Sequence, residues 1–161
     1  MNVITLIVVT LILTTSCNLI GGLYSWLVLY TNVFRSMRLQ ARPYTPGVFF
    51  QRLPLILFNL VCLATLSSAG LYFFGQAVFV TSVPAWWIVP VQVLAIFLID
   101  DLWFYGCHRL LHQSRFLFKH VHRIHHRAVT PFPLEYIYVH PVEWLLGSVG
   151  SILGVAVLFM V

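Results

Sequence analysis

The chain has 161 residues, 60% of them apolar and only 8% charged, with a mean hydropathy of +0.93. A soluble domain carries about 25% charged residues for its polar shell, so this composition argues against a water-soluble enzyme, a disordered chain and a disulfide scaffold. The net charge of +5 is joined to no recognisable nucleic-acid reading module, and no nucleic-acid partner is expected.

A membrane span takes about 20 predominantly apolar residues. Val3 to Tyr30 is the first such run. Thr14-Thr15-Ser16-Cys17 faintly resembles a lipoprotein cleavage site, but no basic residue precedes it and the apolar run continues past it, which predicts an uncleaved span. Leu53 to Val80 is the second run, with Pro54 in its first turn, where a missing N–H costs little. Thr81, Ser82 and Pro84 predict a turn. Trp86 to Tyr105 is the third span, opened by Trp86-Trp87 as an interfacial anchor. Trp144 to Val161 is the fourth. The expected fold is all-α: an integral membrane bundle of about four helices with a cytosolic histidine-rich region. Residues 1–99 hold most of the first three spans, and residues 100–161 open a second region that is polar, aromatic and rich in histidine.

The nine basic residues form two clusters, Arg35, Arg38, Arg42 and Arg52, then Arg109, Arg115, Lys119, Arg123 and Arg127. Three crossings before the second cluster put both on one face, as the positive-inside rule asks. Residues 106–143 are therefore expected on the cytosolic side.

All seven histidines lie between His108 and His140, and six fall within His108–His126. His108-Arg-Leu-Leu-His112 is an H-x3-H pattern, and His122-Arg-Ile-His125-His126 is H-x2-H-H. Residues four apart share a helix face, so His108 and His112 can address a common ion. On a continuous α-helix, His122, His125 and His126 span an arc of about 100°, with His120 roughly opposite. Together the two patterns predict a metal site. Neutral imidazole suits iron, zinc, copper and nickel alike, and the spacing does not choose among them. From Trp86 to His112 a helix rises about 40 Å, against a hydrocarbon core of about 30 Å, which sets the histidines just beyond the membrane. Asp101 lies on the stripe of His108 and either fixes a ligand histidine's tautomer or, with Asp100, marks the end of span three and pairs with arginines. His140-Pro141-Val142-Glu143 either brings one more ligand or a supporting carboxylate, or starts a helix with Glu143 in its first turn.

Asp101 to His112, His122 to His126 and Tyr138 to Glu143 resemble the fatty acid hydroxylase/sterol desaturase superfamily, closest to its sterol C4-methyl oxidase and cholesterol 25-hydroxylase branch. The likeness covers roughly residues 100–147. It implies a membrane-bound non-haem di-iron enzyme that uses O2 and two electrons to hydroxylate or desaturate a lipid C–H bond. It also implies a small electron-transfer protein or reductase as partner, and His108, His112, His122, His125 and His126 as iron ligands. The setting it implies is the endoplasmic reticulum in a eukaryote or the inner membrane in a bacterium. The family carries a third histidine box further on, which this sequence lacks; with Val161 closing an apolar run, the reading expects a truncated chain with an incomplete ligand set for two irons. The reading from a different class is a non-enzymatic membrane metal-binding or metal-transport protein. Transport asks for ionisable ligands at mid-span, and the first two spans have no charge away from their ends.

Overall fold

The computed structural model describes residues 2–38, 42–78 and 85–160. Among these the fold is helical, with no strand. Four helices are long and apolar enough to cross a membrane, and the protein is an integral membrane protein. The predicted turn at Thr81, Ser82 and Pro84 lies outside the described residues.

Helix α1 (Val3–Tyr30) matches the first apolar run end to end. Asn2 caps it, its Oδ1 accepting from the Thr5 N–H at 2.7 Å, which satisfies one of the donors a helix start leaves open. Helix α2 (Val48–Val78) starts earlier than the apolar run, so Pro54 sits inside the helix rather than in its first turn. The start is set by Gly47, whose φ of 70° lies in the left-handed region that favours glycine. The apolar reading stopped short because Gln51 and Arg52 are polar; Arg52 is accommodated by an ion pair with Glu135. Proline removes the N–H that the Phe50 carbonyl would otherwise receive.

Helix α3 (Ile88–Gln113) runs unbroken through Gly106 and, as expected, carries His108 and His112 past the end of the apolar span at Tyr105. Ser114 ends it and caps the short helix α4 (Arg115–His120). A 3-10 helix over His122–Arg127 follows, then another over Pro133–Ile137. Helix α5 (Pro141–Met160) opens with proline at its first position and Glu143 in its first turn. The expectation of one α-helix carrying the second histidine pattern is corrected here. The backbone leaves the α4 helix at Val121, and residues 122–127 wind as a 3-10 helix, with about 120° rather than 100° per residue.

The chain divides into two compact units. One comprises Met1–Gln76 and His125–Val139. In it the irregular segment around Pro133–Ile137 lies on α1 and α2, and its backbone is satisfied by their polar side chains. The Asn59 amide donates to the carbonyls of Ile137 at 2.8 Å and Val139 at 2.9 Å. The Ser25 hydroxyl accepts from the Leu134 N–H at 2.9 Å. The Tyr136 hydroxyl donates to Asn18 at 2.8 Å. Asn59 and Ser25 are fully buried. Buried non-helical backbone needs partners for its polar groups, and these side chains supply them.

The second unit comprises Ala77–Ile124 and His140–Val161. Its core is the pairing of α3 with α5. A Cβ added at Gly154 would lie 3.0 Å from Ile96 Cα, and one at Gly150 would lie 3.1 Å from Asp100 Cα. Glycines at this i, i+4 spacing let helix backbones approach closely. The approach is sealed by polar contacts. Ser151 donates to Asp100 Oδ1 at 2.9 Å, and the Trp103 indole donates to the Leu146 carbonyl at 2.7 Å. Asp100 is thus held by a serine, where the sequence suggested an arginine. Leu102, Phe97 and Leu98 of α3 are exposed, as suits a surface facing hydrocarbon.

Candidate metal centre

His108 and His112 are one turn apart near the end of α3 and reach the same point. His122 joins them from the residue after Val121. One ring nitrogen of each lies within 4.8 Å of the others. The Nε2 atoms of His112 and His122 are 3.1 Å apart. Two lone pairs do not face each other at that distance without a proton or a cation between them. Nitrogens bound to one ion at about 2.0–2.1 Å are separated by about 2.9–3.4 Å for bond angles between octahedral and tetrahedral. The observed separation fits such a pair.

His122 is fully buried, and its Nδ1 is 2.8 Å from Glu143 Oε1. With Glu143 ionised, the carboxylate only accepts; Nδ1 then carries the proton and Nε2 turns its lone pair toward His108 and His112. A partner of this kind fixes both tautomer and ring orientation in metal sites. Glu143 Oε2 is buried with no hydrogen-bond partner among the described residues. His108 is half-buried, and His112 is exposed. Its ring lies 5.6 Å from that of Phe118, and the His122 ring lies 6.0 Å from Phe118. Three neutral imidazoles with a fixed tautomer on the buried one are a donor set that fits iron, zinc, copper or nickel.

The remaining candidates are not among these three. His125 and His126 are exposed in the other unit, with ring centroids 5.6 Å apart. His120 is exposed, its Nδ1 2.9 Å from the Phe116 carbonyl. Asp101 is exposed on α3, and the orienting contact on His122 is made by Glu143. His140 accepts from the Val142 N–H at 3.1 Å and so caps the start of α5. Sequence reasoning gave Glu143 only as an alternative, because its partner is 21 residues away. It did not single out Ser25 or Asn59, whose signal was a polar residue inside an apolar run.

Residues 93–161 match the family model described as fatty acid hydroxylase. Methylsterol monooxygenase 1 of Gallus gallus is 33% identical over 113 residues, covering 68% of this chain and 34% of that protein. Very-long-chain aldehyde decarbonylase GL1-11 of Oryza sativa subsp. indica is 35% identical over 156 residues, covering 92% of this chain and 57% of that one. Methylsterol monooxygenase 2-1 of Arabidopsis thaliana is 44% identical over 73 residues, covering 45% of this chain and 26% of that one. This chain therefore spans between about a quarter and somewhat over half the length of these relatives. No solved structure matches it.

Proposed function

We propose, for a chain that belongs to the fatty acid hydroxylase/sterol desaturase superfamily and matches its family model over residues 93–161, that the protein is a membrane-bound non-haem di-iron oxygenase acting on a lipid, sterol or fatty acyl. The observation that carries this reading is the histidine trio of α3 and His122, with Glu143 behind it. His108, His112 and His122 would hold iron, and His125 and His126 would complete what this chain contributes to the iron pair. When bound, the iron pair would supply O2 activation, with electrons delivered by a small electron-transfer protein or reductase.

The chain's own residues do the rest. Glu143 holds the Nδ1 proton of His122 and turns Nε2 toward the metal position. The α3–α5 contact holds Glu143 and the α3 histidines in register. The apolar faces of the spans would receive the lipid chain, and the basic clusters would set the histidines on the cytosolic side. Labelling of single cysteines at positions 38 and 115 should place both on one face; opposite faces would overturn this topology.

The test is metal binding by the detergent-purified protein. His122→Ala should abolish tight binding at the trio. Glu143→Gln should weaken it by about 10–100-fold, the usual cost of losing a partner of this kind. Parent-like binding by both variants would reject the trio as a metal site. The protein extended to its relatives' length, given iron, O2 and reductant, should oxidise a lipid.

A further inference from the structure

Arg52 comes from a membrane helix, yet its contacts converge on the chain that follows the second histidine pattern. Its guanidinium donates to the Arg127 carbonyl at 2.9 Å. It forms an ion pair with Glu135, whose side chain is 1% exposed, and it stacks over the Tyr138 ring with its carbon 5.0 Å from the centroid. Glu135 in turn accepts from the Phe132 N–H at 3.1 Å. Arg127 closes the 3-10 helix that carries His125 and His126. Its carbonyl belongs to the last turn, where a helix has acceptors without intrahelical partners. A cation at that end is favoured by both hydrogen bonding and the helix dipole.

From this we propose that Arg52 is a positioning residue for the second histidine box: one planar fork grips the end of the 3-10 helix and the Glu135 loop at once, fixing His125 and His126. The role rests on the reading of those two histidines as metal ligands. Arginine suits the task because its donors lie in a rigid plane and reach two acceptors in fixed directions. Lysine can keep the charge and the Glu135 pair, but its compact ammonium cannot hold both acceptors in the same geometry. An ion pair serving only to fold the loop would accept lysine.

The experiment uses the full chain in detergent, with cobalt(II) as the metal probe, and follows cobalt affinity, the visible ligand-field spectrum and the melting temperature of the metal-free protein. The His125→Ala/His126→Ala double variant should change the spectrum and establishes what loss of the box looks like. Arg52→Lys should keep the melting temperature close to that of the parent. It should also weaken cobalt binding by about 10–100-fold and move the spectrum toward that of the double variant. Arg52→Gln should show the same spectral change with a lower melting temperature. If the double variant changes the spectrum while Arg52→Lys binds and absorbs like the parent, the positioning role is overturned and the ligand reading stands. If the double variant itself matches the parent, the ligand reading fails, and the role of Arg52 fails with it.

Discussion

The two compact units are packed by different means. In the unit built on α3 and α5, two histidines ride on a regular helix whose backbone bonds to itself, and the packing problem is solved by glycine: Gly150 and Gly154 bring α5 against Asp100 and Ile96. In the unit built on α1 and α2, His125 and His126 belong to a stretch of 3-10 turns and loop. There the backbone needs outside partners, and the apolar helices supply them through Asn59, Ser25 and Arg52. Close packing of regular helices thus asks for small residues, and buried irregular backbone asks for polar ones.

The sharpest way to break this contrast is at Asn59. Asn59→Leu takes the side-chain donor from the Val139 carbonyl, while the Ile137 carbonyl keeps the Val139 N–H at 3.0 Å. At about 1–3 kcal/mol for a buried unsatisfied group, the loss should be of that size. A large fall in the melting temperature in detergent would register it, and a parent-like value would show that the segment carries itself. Next comes Gly154→Ala. The new methyl meets the Ile96 backbone, which cannot rotate away, so α3 and α5 must separate at a cost of about 1–3 kcal/mol; the same melting measurement checks it.

Ser25→Ala should cost about 1 kcal/mol, the usual loss when a buried N–H such as that of Leu134 loses its acceptor. The smallest effect is of opposite sign. A Cβ at Gly70 of α2 meets nothing within 4 Å, so Gly70→Ala should stabilise the protein by up to about 1 kcal/mol through helix propensity. Equal responses at Gly70 and Gly154 would erase the distinction between the two units.

The same contrast explains what was legible in the sequence. The four spans were readable because each is a long apolar run, and the α1 bounds follow directly from it. His108 and His112 were readable because their i, i+4 spacing acts on a helix that does continue. The phase reasoning for His122, His125 and His126 failed because it assumed an α-helix across Val121. The start of α2 was missed because Arg52 looks like a loop residue until Glu135 is placed beside it. Glu143, Asn59 and Ser25 act on partners far away in sequence, and no local pattern announces such pairs.

The link between His122 and Glu143 also has an order in time. A ribosome adding about 5–20 residues per second completes the three histidines of the trio before the carboxylate that orients them, which follows 21 residues later. Gly150 and Gly154, which dock the helix bearing that carboxylate, come later still. Until then the newborn His122 is free to carry its proton on either nitrogen. Maturation of the trio therefore waits on insertion of α5, and metal capture becomes a readout of whether α5 has found its place.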